Sequence, residues 1–363
     1  LRACACRWWR VDAVGCGAAR LTQQQIDQLE QRYRIADVLP LTPLQQGLLF
    51  HASTAQGDDD LYVLQLELAV AGPLDPDRLR AAVQLVVSRH PNLVSRVCDQ
   101  FDEPVQVILA DPAPGWRYVE VDGGGVDEQI ARLCAAERAA VRDLAEQPAF
   151  RVALIRIGDE RHRIVVTVHH VVADGWSLPI VVQQMFAGYQ GQRLPIPAPY
   201  RDFVAWLAGR DLDTARAAWR EVFDGFDTPT LVSPPGRSGR GRRGVALFRV
   251  PAETTRAITA LARASHTTVN TVLQAGFAQL LMLVTGHQDV AFGTTVSGGR
   301  RGGWRRGDGG FVDQHGAGAR ARHSGHHDQR AARPAARHPQ PHPGAPAPGT
   351  CRDSPGQWPR PAV

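Results

Sequence analysis

Ile164-Val165-Val166-Thr167-Val168-His169-His170-Val171-Val172-Ala173-Asp174-Gly175-Trp176-Ser177 is the stretch whose reading decides the fold. Its β-branched run, Ile164 to Val168, predicts a buried strand. The strand stops at two histidines, a short apolar spacer and Asp-Gly, so polar chemistry begins where the apolar pattern ends. Adjacent side chains on an extended backbone point to opposite faces. His169 and His170 therefore cannot share a role unless the strand has already ended: one is expected to face a cleft and the other to pack or brace. Asp174-Gly175 is a turn signal, and Trp176 to Tyr189 then reads as an amphipathic helix. This places Asp174 at a strand-to-helix corner, able to fold back toward the histidines. A neutral imidazole takes a proton from an amine or hydroxyl near pH 7 because its ordinary pKa lies close by.

A histidine pair at a strand end also occurs as structure alone, and that reading stands beside the catalytic one. A metal site is a third option, but His-His-x-x-x-Asp supplies neither an i, i+4 histidine pair on a helix nor a nearby cysteine. No metal or bound cofactor is expected.

His169-His170-Val171-Val172-Ala173-Asp174-Gly175 matches the pattern H-H-x-x-x-D-G. It resembles the signature of condensation domains of nonribosomal peptide synthetases and their chloramphenicol acetyltransferase-like relatives. Further stretches carry the resemblance in family order. Leu41-Thr42-Pro43-Leu44-Gln45-Gln46-Gly47-Leu48-Leu49-Phe50-His51 is similar to the first core motif, Arg89-His90-Pro91-Asn92-Leu93 to the second, and Tyr200-Arg201-Asp202-Phe203-Val204-Ala205-Trp206 to the fourth. Asp289 to Gly298 opens the fifth region.

The 363 residues are enough for one large or two medium domains. A hydrophobic share of 44% and a charged share of 21% are those of a globular chain. The net charge of +5 reflects arginines gathered near the C-terminus and does not indicate nucleic-acid binding. Cys4, Cys6, Cys16, Cys98, Cys134 and Cys351 form neither a C-x-x-C knuckle nor a disulfide framework, which fits a reducing, cytoplasmic setting. No run of eighteen apolar residues suggests a membrane span.

Along the chain, residues 1–20 have no periodicity and no likeness to the family, and read as a foreign leader without structure. Residues 21–35 predict a linker helix to about Tyr33 with Thr22 as N-cap. Residues 36–195 predict a first lobe. In it Thr42-Pro43 caps a helix, Leu61 to Val70 alternates as a strand, and Asp75-Pro76 opens a helix that ends at His90-Pro91. Leu93 to Val97 and Val105 to Leu109 predict a strand pair, Val126 to Leu144 a helix, and Phe150 to Ile157 and Arg163 to Val168 neighbouring antiparallel strands. Arg96, on an apolar strand, seeks a carboxylate or faces solvent. Residues 196–298 predict a partial second lobe, entered through helices at Tyr200 to Ala208 and Asp213 to Phe226. It also holds a strand at Val245 to Val250 and helices at Thr254 to Ala264 and Val269 to Val284, the last apolar on most sides and so central. Gly236 to Gly244 is a solvated basic loop, since no strand leads in and no Gly-Lys-Ser/Thr follows.

After Leu283 no Leu, Ile, Met or Tyr occurs to the end of the chain. Such a segment cannot bury enough apolar area to offset its ordering entropy, so residues 299–363 predict disorder. The family resemblance implies an arginine directly after Ser297-Gly298; Gly299 stands there and Arg300 follows one place late. A shift of reading frame near residue 299 accounts for both the lost register and the composition. The tract His323 to His327 needs no metal to explain it on that reading.

The sequence pattern itself supports alternating strands and helices in an α/β or α+β arrangement with mixed sheets. The resemblance adds a two-lobed chloramphenicol acetyltransferase-like fold, here with the second lobe incomplete. It implies peptide-bond formation between acyl groups held as thioesters on phosphopantetheine arms. The partners implied are upstream and downstream peptidyl carrier domains and the adenylation domain of a parent synthetase. His170 would take the amine proton or orient the amine. His169 and Asp174 would be scaffolding, with Asp174 bridging to an arginine, for which Arg96 and Arg300 are the candidates. Gly175 would offer its amide to an oxyanion. An epimerisation domain, a coenzyme A-dependent acyltransferase and a non-enzymatic carrier-docking fragment are the competing readings.

Overall fold

The computed structural model describes residue 19 and residues 21–54, 62–232, 246–297 and 313–322. The elements follow as α1 (Gln23–Arg32), β1 (Ile35–Pro40), α2 (Pro43–Thr54), β2 (Val63–Ala71), α3 (Pro76–Arg89), β3 (Arg96–Cys98), β4 (Val105–Leu109) and β5 (Gly115–Glu120). Then come α4 (Val126–Ala140), β6 (Phe150–Gly158), β7 (Arg161–His169), α5 (Ser177–Tyr189), α6 (Tyr200–Ala208), α7 (Leu212–Val222), α8 (Ala252–Ala264), α9 (Val269–Thr285), β8 (Asp289–Ser297) and β9 (Asp313–Arg322). The chain divides into two compact units, one running to Glu221 and taking in Gly293–Ala317, the other Val222–Phe292 with Gly318 onward.

The first unit is built on a four-stranded sheet of order β2-β7-β6-β5 and a three-stranded sheet of order β1-β4-β3. β7 lies centrally, antiparallel to both neighbours, with Val63 opposite His169 and Phe150 opposite Val168. Alternation along these strands sorts the side chains. Phe150, Val152, Leu154, Ile164, Val166 and Val168 face a core shared with α3 and α5, whereas Ala153, Ile155 and Val165 face Ile130 and Cys134 of α4. With both faces covered, the run Ile164 to Val168 is apolar except for Thr167, and each buried Val, Leu, Ile or Phe contributes about 1.5–3 kcal/mol by leaving water. β5 runs parallel to β6, which requires the intervening α4 as a crossover.

A buried ion pair pins that crossover. Glu137 of α4, 1% exposed, meets Arg151 of β6 at 2.6 Å and Arg117 of β5 at 2.9 Å. Gly115 is needed beside it, because a Cβ there would come within 2.6 Å of the Arg151 side chain.

Helix ends follow the predicted caps. Thr22 and Gln25 form a reciprocal capping box on α1, and Asp75 accepts from the amides of Asp77 and Arg78 with Pro76 in the first turn of α3. Other expectations change. Pro91–Val94 is a 3-10 turn that leaves only Arg96–Cys98 for β3. β1 and β5 arise where no strand was anticipated, because β1 is six residues with a buried centre and β5 alternates weakly at a sheet edge.

Compact packing does not stop near residue 195. Phe203 and Val204 of α6 bury against Leu39 and Ile108, and the first unit continues to Glu221.

In the second unit, residues 246–250 are not a strand; Leu247 and Phe248 are exposed and no neighbouring strand pairs with them among the described residues. α9 buries only Thr271, Ala278 and Leu281, so its wide apolar surface is not enclosed as expected. Ala278, Leu281 and Val290 make the unit's small core. β9, in a segment expected to lack structure, pairs with β8. Backbone pairing needs no large apolar side chain, which is how so glycine- and alanine-rich a stretch joins a strand. The leader before residue 19, the loop Gly236 to Gly244, Arg300, the tract His323 to His327 and the rest of the 299–363 tail lie outside the described residues.

Candidate functional site

β7 ends at His169, so the two histidines escape strict alternation. His169 is 4% exposed and tied at every polar point the local backbone can reach. Its N–H donates to Ala149 O at 2.9 Å, its carbonyl accepts from Val172 N at 3.1 Å, and its Nδ1 accepts from Val171 N at 3.1 Å. An accepting Nδ1 puts the ring proton on Nε2. Burial, with His170 adjacent, pushes the His169 pKa down to about 4. The ring is thus a neutral brace inside the strand end.

His170 is the first residue past the strand and is half-buried. Its N–H donates to Tyr62 O at 2.7 Å, which holds the residue to the start of β2. Of the two histidines, this is the less enclosed.

Asp174 is 2% exposed, and its Oδ1 accepts from Ser177 Oγ at 2.5 Å, Ser177 N at 2.6 Å and Trp176 N at 3.1 Å. Its carbonyl accepts from Leu178 N at 3.2 Å. These bonds close the turn that leads into α5, and a carboxylate there is favoured both as acceptor and as an anion near the positive helix end. The anticipated bridge to Arg96 does not form. Arg96 donates to Val94 O at 2.9 Å, and the groups that act on its charge are Tyr33, Asp143 and Cys98.

Gly175 is exposed, has no left-handed φ, and a Cβ added to it would meet nothing within 4 Å. Among the described residues its amide donates to no backbone acceptor.

Sequence reasoning did not single out the brace beneath this loop. Gln45 of α2, 2% exposed, donates from Nε2 to Val171 O at 2.9 Å. Its Oε1 accepts from Thr42 N at 2.9 Å, from Gln106 Nε2 at 3.3 Å and from the Tyr200 hydroxyl at 3.4 Å. Burial raises the Tyr200 phenol to about 12. The pattern Thr42-x-x-Gln45 was readable as a capping box, but nothing local announces the contact with residue 171. Further along, His90 Nε2 meets Gln184 Oε1 at 2.9 Å and ties α3 to α5; burial lowers the His90 pKa.

A cavity of about 440 Å³ in the first unit is walled by Asp37, Arg89, His90, Ile196, Tyr200 and Arg201, among others, and does not include His170. No group of three or more His, Cys, Asp or Glu residues suited to a metal occurs among the described residues. Among them no single helix is long and apolar enough to cross a membrane.

Comparisons with known proteins bear on the family and the fold. The family model described as "Condensation domain" matches residues 35–313. Chondramide synthase cmdD of Chondromyces crocatus is 33% identical over 334 residues, covering 77% of this chain and 8% of that protein. Bacitracin synthase 3 of Bacillus licheniformis is 29% identical over 298 residues, covering 78% of this chain and 5% of that protein. The chain therefore spans less than a tenth of these curated relatives.

Among solved structures, the one titled holo T3CT shares the fold, with a TM-score of 0.63, 19% identity, and coverage of 85% of this chain and 69% of that one. The first condensation domain of the calcium-dependent antibiotic synthetase, in complex with a substrate analogue, gives a TM-score of 0.57 at 25% identity, covering 81% of this chain and 72% of that one. The mixed α/β architecture, the histidine pair at the end of β7 and the match across residues 35–313 lead to one conclusion: the chain belongs to the condensation domain family.

Proposed function

We propose that this chain is a piece of a nonribosomal peptide synthetase whose site joins two acyl groups carried as thioesters on phosphopantetheine arms. The single observation that carries the reading is the split between the two histidines: His169 is buried, neutral and engaged, while His170 stands half-buried just past the strand, with its backbone fixed. On this reading the acceptor amine attacks the donor thioester carbonyl, the tetrahedral intermediate collapses, the C–S bond breaks, and the sulfur leaves as a thiol after taking up a proton. His170 takes the amine proton or orients the amine. Gly175, whose amide has no backbone acceptor among the described residues, faces the developing oxyanion. Holding both arms in one place contributes roughly 7–11 kcal/mol by making the encounter unimolecular.

The partners are upstream and downstream carrier domains and, in the parent synthetase, an adenylation domain. Because Gly299 stands where the resemblance implies an arginine, and the sequence after it lacks the family's following strand pattern, transfer by this chain is expected to be feeble. The test is dipeptidyl transfer between two loaded carriers, with and without His170→Ala. The expected outcome is slow transfer that falls by about a hundred- to ten-thousand-fold in the variant. Carrier binding without turnover, unchanged in His170→Ala, would favour a docking fragment instead. Transfer from free acyl-coenzyme A without carriers would favour a coenzyme A-dependent enzyme.

A further inference from the structure

Gln45 occupies the N3 position of the capping box that opens α2. Thr42 N donates to its Oε1 at 2.9 Å, and its own N–H donates to Thr42 Oγ1 at 3.3 Å. For that task glutamate serves as well as glutamine, since only an acceptor oxygen is needed and an anion suits a helix N-terminus. What glutamate cannot supply when ionised is the other half of the amide. Gln45 Nε2 donates to Val171 O at 2.9 Å, a contact between residues 126 apart in sequence. The accepting residue is 0% exposed, so no water is at hand to replace the bond.

The neighbouring bonds show what that contact controls. His170 N is held by Tyr62 O on one side. On the other, Val171 N is held by His169 Nδ1 and Val172 N by His169 O, leaving the Val171 carbonyl to Gln45. The side chain of Gln45 is itself fixed, because Gln106 and Tyr200 reach the same oxygen from β4 and α6 at 3.3 and 3.4 Å. Three elements distant in sequence thus converge on one amide, whose N–H₂ face is aimed at the residue after His170.

We propose that Gln45 is a positioning residue, whose carboxamide N–H₂ holds the carbonyl of Val171 and thereby sets the direction in which the His170 ring is presented. This rests on the reading of His170 given above, and the two can fail separately.

The experiment compares the full chain with Gln45→Glu, Gln45→Met and Thr42→Ala. Residue-resolved hydrogen exchange follows the amides of Val171 and Val172 against those of β6. Gln45→Glu keeps the cap and swaps the donor for an acceptor, Gln45→Met removes all bonding at similar size, and Thr42→Ala weakens the cap while leaving the donor. The expected result is at least about tenfold faster exchange at Val171 and Val172 in both Gln45 variants, with β6 unchanged, and wild-type exchange at those amides in Thr42→Ala. In the carrier assay, Gln45→Glu is expected to lower kcat about tenfold to a hundredfold with little change in KM. Its activity relative to wild type should recover as pH falls, because the introduced carboxyl, once protonated, again donates.

Unchanged exchange at Val171 and Val172 in Gln45→Glu and Gln45→Met would overturn the proposal. So would equal loosening of those amides in Thr42→Ala, which would reduce Gln45 to a helix cap. Absence of His170-dependent transfer in the unsubstituted chain would sink the functional reading instead, and leave the exchange result standing as the measure of this one.

Discussion

The central strands of the first unit and the long apolar helix of the second start from similar sequence and end differently. In β6 and β7 the residues Val152, Leu154, Ile155, Ile164, Val166 and Val168 are all 0% exposed. In α9 Phe277 is 47%, Leu280 52% and Leu283 83% exposed. The difference is not in hydrophobicity but in what each element has to pack against. The first unit supplies a four-stranded and a three-stranded sheet with helices to cover them, whereas the described strands near α9 are only β8 and its partner β9. An apolar pattern says that a surface wants to be covered; whether it is covered depends on residues elsewhere.

The sharpest way to break this contrast is to attack what makes the first unit rigid. Glu137, 1% exposed, is held by Arg151, whose side chain is 11% exposed. Glu137→Ala leaves that guanidinium buried without its carboxylate, a change that costs about 3–5 kcal/mol. Arg117 is 38% exposed and screened by water, so it adds little to the figure. Urea unfolding should show the loss, and native-state exchange should show it concentrated in β5, β6 and α4. A loss below about 1 kcal/mol would mean that the crossover is held by packing alone.

The next effect is smaller and is read by acid. The His169 pKa of about 4 lies below the ordinary value of 6.5, so between these limits the unfolded chain binds a proton that the folded chain refuses. Stability is then complete above pH 6.5 and declines as pH falls toward 4, by roughly 3 kcal/mol in all. His90, also lowered by burial, acts in the same direction. His169→Gln should flatten the slope of unfolding free energy between pH 7 and pH 4.5. If the variant keeps the full slope, the buried imidazole is not its source, and the rigid strand end is less dry than its geometry implies.

How far the sequence could see is set by the range of the interactions involved. β6 and β7, the turn after His170, and the caps at Thr22 and Asp75 were legible because they are written in neighbouring residues. Strand alternation set the expectation of one braced and one open histidine, but β7 ends at His169, so the observed difference, His169 buried and His170 half-buried, comes from the end of the strand and not from alternation. Asp174 shows a similar limit. Its place at the corner was clear, yet its carboxylate turns to Ser177 and Trp176, three and two residues on, rather than to an arginine across the site. Gln45, Glu137 and Tyr200 were opaque because their partners lie on other elements. β1 and β5 were missed because a short, weakly alternating edge strand is recognised by its neighbour, and a neighbour is not a local signal. Val245 to Val250 errs the other way: despite the strand-like pattern, residues 246–250 form no strand and pair with none among the described residues, and Leu247 and Phe248 stay exposed.

The smallest expected effect tests the other side of the comparison. Leu283, at 83% exposure, has little apolar area left to lose, and Leu283→Ser should change stability by no more than about 0.5 kcal/mol. Leu281, on the opposite side of the helix and 7% exposed, packs with Ala278 and Val290, and its truncation to alanine should cost about 2–5 kcal/mol of the second unit's stability. Measured by urea unfolding of the same chain, the pair of substitutions calibrates the helix against itself. Should Leu283→Ser cost as much as Leu281→Ala, the outer face of α9 is covered in solution. The contrast between the two units would then lie in which residues provide the cover, not in whether it exists.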